Sequence, residues 1–273
     1  MNRYTWKTGI REAVMILCGL VFLIPIYIMV NLAFKPEGDL ANPLVPAFNP
    51  TFENFTNAWN QAGLGPAILY TATLTTISVV VIVVISATAG YVLARKTATW
   101  SKLTFGLFMA GLLLPLQLAT FPLYTTFRDL GMLNTIWALV VYYSGLMVPF
   151  SVFLYTSFLR SMPLEYEEAA TIDGARPLRV FFSVVFPLAR PITGTVIILN
   201  AIGIWNDFFT PLLYLSGSDQ QTIPVALYQF LGQFVSRWQL VFAGLIIGVL
   251  PILVIYFVLQ RYIIKGFAGG LKG

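Results

Sequence analysis

The chain has 273 residues, 58% of them hydrophobic and only 10% charged, with a mean hydropathy of +0.81. A soluble domain of this length has no interior large enough for so much apolar surface, so the composition points to an integral membrane protein. Histidine is absent, which removes the usual general base, the commonest metal ligand and the neutral-pH switch; the single cysteine, Cys18, excludes a disulfide framework within one chain.

Arg3, Lys7 and Arg11 precede an apolar run that continues to about Ala33. That length suffices to cross a bilayer, and no small-x-small cleavage site follows, so the run is expected to be an uncleaved first helix over 12–34 rather than a signal peptide. Pro36, Pro43, Pro46 and Pro50 then forbid regular structure, with a short helix expected near Thr51 to Trp59. A second span covers 66–93 and is rich in Thr, Ser, Val and Ile. These β-branched residues are poor helix formers in water, but in lipid the backbone must pair with itself and helix wins. A turn with Arg95, Lys96 and Lys102 leads to a third span, 103–119, and residues 120–135 are expected at the interface. Spans four, five and six cover 136–159, 192–213 and 240–260, with a polar, turn-rich interval from Ser216 to Arg237.

Between spans four and five, residues 161–191 combine clustered charge with helix punctuation. Pro163 suits a first helical turn, and Glu165, Glu167 and Glu168 fall near the positive end of that helix dipole. Gly174 can take the left-handed conformation that ends a helix, Pro177 starts a second one, and Pro187 and Pro191 limit it. The pattern predicts a helix–turn–helix held outside the lipid as a docking element.

Six spans put both termini on one side. That side receives Arg3, Lys7, Arg11, Arg95, Lys96, Lys102, Arg160, Arg176, Arg179, Arg190, Arg261, Lys265 and Lys272; the other receives only Lys35, Arg128 and Arg237. By the positive-inside rule the first side is cytoplasmic. The expected architecture is an all-α integral membrane protein: one transmembrane domain over 1–273, six transmembrane helices, cytoplasmic termini and a cytoplasmic helix–turn–helix.

No GxxxxGK[ST] phosphate loop and no Ser/His/Asp or Cys/His set occurs, which argues against an enzyme acting alone. Polar residues within the spans are the candidates for a translocation path: Asn200, Asn206 and Asp207 in span five, Thr76 in span two and Gln117 in span three. For Asn206 and Asp207 an equal alternative is a polar pair bonding a neighbouring helix. For Thr73, Thr75, Thr76 and Ser78 helix packing is the stronger alternative, and Gly244 and Gly248 also read as packing residues. Trp205 reads as an interface anchor. Asn54-Phe55-Thr56 is a formal glycosylation triplet of the kind that arises by chance.

Glu168-Ala169-Ala170, three residues, Gly174, nine residues, then Val184-Val185-Phe186-Pro187 resembles the EAA signature of ABC importer permeases, written EAA-x3-G-x9-I-x-L-P. Val184 stands for the Ile and Phe186 for the Leu, and the spacing is kept. WNDFFTPLLYL at 205–215, QTIPVAL at 221–227 and the tail from 260 resemble the carbohydrate-importer branch, in particular its maltose-permease-G-like subunits. The resemblance implies a second homologous permease, two cytoplasmic ATPase subunits that bind ATP and Mg, an extracytoplasmic solute-binding protein and a carbohydrate substrate. It implies no cofactor on this chain and a place in a bacterial or archaeal plasma membrane. It also implies ATPase coupling through Glu167, Glu168, Ala169, Ala170, Asp173, Gly174 and Arg176. The rival from another class is a stand-alone secondary transporter or channel; such carriers often have more spans and internal repeats.

Overall fold

The computed structural model describes residues 6–39, 42–231 and 237–270, without the side chains of 7, 116–117, 259 and 261–270. Among these residues the secondary structure is helical, with no strand. The chain divides into two compact units, one of residues 1–66 with 225–250 and one of 67–224 with 251–273. Among the described residues four helices are long and apolar enough to cross a membrane, and up to six if each of two bent helix pairs is counted as one span.

The first unit is built on α1 (Trp6–Phe34) and the start of α13 (Trp238–Gly270). The proline-rich segment after α1 has no ladder to satisfy its backbone, so asparagine side chains do it. Asn31 donates to the carbonyls of Pro43 (2.7 Å) and Val45 (2.8 Å) and accepts from the N–H of Ala47. Asn54, at the start of α2 (Glu53–Gln61), is 1% exposed and donates to the carbonyls of Ala33 and Lys35 at the end of α1. Its amide is thus fully committed, and the glycosylation triplet is a chance match. Gly244 on α13 meets Leu227 of α12 (Ile223–Tyr228) so closely that a Cβ there would lie 2.2 Å from Leu227 Cδ2. This is helix packing, as its spacing suggests.

The second unit holds α3 (Leu64–Arg95) from Ala67 onward, α4 (Thr99–Leu113), α5 (Leu116–Asp129) and α6 (Ile136–Arg160). It continues with α7 (Glu165–Ile172), α8 (Pro177–Val180), a π-turn over Phe181–Val185, α9 (Phe186–Leu188), α10 (Arg190–Asn206) and α11 (Phe209–Tyr214). Helix α6 packs against both α4 and α10 and buries Leu139, Tyr143, Val152, Tyr155 and Leu159. It starts on a side-chain cap, Thr135 Oγ1 accepting from the N–H of Ala138.

The helices depart from the expected spans at three places. Span three does not run on to residue 119: the chain turns extended at Leu114–Pro115, and α5 leaves at 105° to α4. Pro115 has no N–H to continue the ladder. Span five does not reach 213, because α10 ends at Asn206 and α11 restarts at Phe209. Pro187 does not limit the second helix of the docking element. The chain widens into a π-turn just before it, Phe186 N–H bonding Phe181 O, and α8, the π-turn and α9 form one bent path that meets α10 at 74°. A π-turn absorbs the bond that a proline inside a helix cannot make. The tail expected from residue 260 continues α13 as helix to Gly270; residues 271–273 lie outside those described.

Candidate coupling element and buried polar pairs

Helix α7 begins at Glu165, two residues after Pro163, with its three glutamates in the first turn. It ends on a Schellman turn: Ala175 N–H bonds Ala170 O (3.0 Å), Gly174 N–H bonds Thr171 O (2.9 Å), and Gly174 takes φ +82°. Arg176 then turns the chain extended and Pro177 opens α8. Glu168, Ala169, Asp173, Gly174 and Arg176 are exposed on this element, with Ile172 at 86% exposure, and Ala170 is half-buried. These are the residues that a partner can reach.

Glu167 differs. It is buried, and it is the only one of the α7 glutamates that is. Its Oε2 accepts from the Tyr91 hydroxyl (2.8 Å), and its Oε1 accepts from Arg95 Nε (2.7 Å) and pairs with Nη2 (2.7 Å). Arg95 is the last residue of α3, and its remaining donors reach the carbonyls of Leu159 (2.7 Å) and Met162 (3.4 Å) beyond the end of α6. Leu159 O lies in the last turn of α6, where Pro163 has no N–H to offer it, Met162 O lies just past the helix, and a cation there also suits the dipole. Arg160 repays the contact by reaching Leu93 O on α3 (3.5 Å) and lies over the Phe105 ring of α4 at 4.8 Å. Sequence reading singled out Glu167 for the docking face. Its geometry turns it toward the helices instead, and Arg95 and Tyr91 were not singled out for this element at all. The signal available was a cation at the last turn of a span opposite an acidic helix, which spacing alone cannot pair.

The polar residues of the spans separate into paired and exposed ones. Asn200 is 6% exposed and joins α10 to α6, its amide donating to Ser151 Oγ (3.1 Å) and to Val196 O (2.7 Å). Asp207 sits at the α10–α11 break. Its Oδ2 accepts from the Tyr143 hydroxyl of α6 (3.0 Å) and its Oδ1 from Thr210 N–H (3.3 Å). The carboxylate therefore anchors a neighbouring helix and caps the restart of its own. Asn206 is exposed and bonds only Ile202 O one turn back among its described contacts, and Thr76 is exposed on α3. The side chain of Gln117 lies outside those described. Thr71, Thr73 and Thr88 of α3 bond the carbonyl four residues back, and Thr75 and Ser78 are buried, which is packing behaviour. Trp205 is buried rather than an exposed anchor. Among the described residues no group of three or more Cys, Asp or Glu is placed to hold a metal ion.

Helices long and apolar enough to cross a membrane, with an exposed acidic helix beside the ends of two of them, place this chain in the class of helical membrane proteins. The pattern of the binding-protein-dependent transport system inner membrane component family matches residues 86–269, and the chain belongs to that family. It is thus a multi-pass inner-membrane permease component of an ABC importer, which works with a binding protein and ATPase partners, and not an enzyme in its own right. It is 35% identical over 252 residues to the melibiose/raffinose/stachyose import permease protein MelC of Bacillus subtilis strain 168, covering 92% of this chain and 91% of that one. It is 32% identical to the diacetylchitobiose uptake system permease protein NgcG of Streptomyces coelicolor, over 96% of this chain and 88% of that one. A crystal structure of a bacterial ABC transporter involved in import of the acidic polysaccharide alginate shares the fold. The TM-score is 0.82 at 21% identity, over 96% of this chain and all of that one.

Proposed function

We propose that this chain is one of two homologous permease subunits of an ATP-driven carbohydrate importer, and that α7 is the element that docks on an ATPase. The carbohydrate class rests on the relatives, whose names concern oligosaccharide uptake and which align over nearly the full chain. The observation that carries the docking role is the exposed EAA face, with Glu168 and Ala169 outward and the left-handed Gly174 fixing the turn behind them. In this arrangement the chain crosses the membrane six times with both termini and α7 in the cytoplasm. The charge distribution supports that orientation. In that orientation thirteen of the sixteen Lys and Arg residues fall on the cytoplasmic side and only Lys35, Arg128 and Arg237 on the other.

Two ATPase subunits and a solute-binding protein complete the machine. The test is reconstitution of this chain with its partner permease, ATPases and binding protein in proteoliposomes. Oligosaccharide uptake that requires both ATP and the binding protein is the expected result. Gradient-driven sugar flux through this chain alone would overturn the proposal.

A further inference from the structure

Helices α3 and α6 are in close contact at their shared end. A Cβ at Gly90 would lie 2.6 Å from Tyr155 Cβ and 3.2 Å from Thr156 N, so the α3 backbone runs directly against α6. One turn further on, α3 and α6 exchange arginines: Arg95 reaches Leu159 O and Arg160 reaches Leu93 O. Helix α7 is fixed to this pair by Glu167, which takes both Arg95 and Tyr91. The Tyr91 ring also packs on Phe181 at the start of the π-turn, at 5.2 Å between centroids. Three side chains thus tie α7, the π-turn and the ends of two long helices together. The covalent links alone, 161–164 and 173–176, would leave α7 hinged at both ends.

We propose that Arg95, Tyr91 and Glu167 form the joint through which movement of α7 is passed to the α3–α6 pair, which makes Arg95 and Tyr91 positioning residues of the transport cycle. This rests on α7 docking at an ATPase. Arg95 is suited to the task because its planar fork serves Glu167 with one edge and the α6 carbonyls with the other, a geometry that lysine's single ammonium cannot hold. Coupling of this kind needs an element that moves as a unit, and a carboxylate held by three donors in a largely buried site provides one.

The experiment uses the full reconstituted transporter and reads substrate uptake per ATP hydrolysed. It is combined with disulfide or bifunctional cross-linking from Ala169→Cys, on the exposed face of α7, to the ATPase. In the expected result Arg95→Met retains the Ala169→Cys cross-link and hydrolyses ATP, but uptake per ATP falls by on the order of tenfold. Tyr91→Phe keeps the ring against Phe181 and loses only the hydroxyl; it is expected to show a smaller fall in the same ratio, and Arg95→Lys an intermediate one. Should Arg95→Met fail to assemble, Tyr91→Phe and Arg95→Lys carry the test by themselves. An unchanged ratio in the assembled variants would overturn the joint while leaving the docking intact. Absence of the cross-link in the otherwise native transporter would overturn the docking reading, independently of the ratio.

Discussion

At Gly174 a single backbone angle decides whether α7, the proposed docking helix, can end where it does. A φ of +82° excludes most side chains at a cost of about 1–2 kcal/mol, and nothing lies within 4 Å of where a Cβ would stand. The obstacle is therefore conformational, not steric, and asparagine and aspartate tolerate it best. Gly174→Asn is expected to retain most uptake. Gly174→Asp is expected to insert and assemble normally yet lose binding-protein-stimulated hydrolysis and uptake, because it adds negative charge next to Asp173 on the docking face. Normal uptake in the aspartate variant would remove Gly174 from the coupling role. The Glu37–Arg237 pair is a second residue-scale case. The hydrogen bond and charge of Arg237 hold the Glu37 carboxyl below its ordinary value of 4.5. A lowered folded-state value means that the contribution is complete above 4.5 and is lost as pH falls through the lower folded value. Both side chains are more than a third exposed, so the pair contributes no more than about 1 kcal/mol. Thermal unfolding of the native chain should lose this increment on acidification, and Glu37→Gln should be less stable at neutral pH and lack that step. Identical acid profiles would show that the pair is silent.

At the scale of elements, the contact of α3 with α6 at Gly90 makes the firmest prediction. Gly90→Ala forces a methyl against Tyr155 and the Thr156 backbone, neither of which is the free end of a flexible chain. The expected overpacking cost is about 1–3 kcal/mol, read as a lower unfolding temperature of the purified transporter. An unchanged temperature would mean that the two helices are not held in contact there. Sequence reading reached the long helices well, because an unbroken apolar run of bilayer length has few other solutions, as α1, α3 and α6 illustrate. It reached the α7 turn for a comparable reason: glycine and proline report backbone needs directly, and Gly174 and Pro177 serve as their positions suggest. It missed the breaks at Pro115 and Asp207 and the π-turn before Pro187. Pro115 and Pro187 are visible in the sequence, but so are Pro25, Pro122, Pro149 and Pro251, which lie inside helices without ending them. The break at Asp207 involves a partner, Tyr143, that becomes available only in the fold. The Arg95–Glu167 pairing was hidden for the same reason, since the two residues stand 72 positions apart.

For the whole molecule, the proposed orientation rests on the asymmetry of Lys and Arg along the sequence, and it can be tested without any transport assay. Cys18 is the one native cysteine and is exposed on α1, so Cys18→Ser gives a background for single-cysteine labelling. Two exposed positions report opposite sides: Arg176, between α7 and α8, and Asp219, between α11 and α12. A membrane-impermeant maleimide applied to intact cells or spheroplasts should label Asp219→Cys at once. It should label Arg176→Cys only after the membrane is opened. The reverse pattern would put α7 on the side without ATP, where no ATPase can meet it, and would overturn both the topology and the docking role together. Labelling of both positions from outside would mean that the bent pair between them, α8–α10, enters and leaves on the same side. The number of crossings between Arg176 and Asp219 would then be even instead of odd. The outcome thus decides how the break between α9 and α10 is to be read: as a bend within a crossing span, which an odd count requires, or as a re-entrant turn.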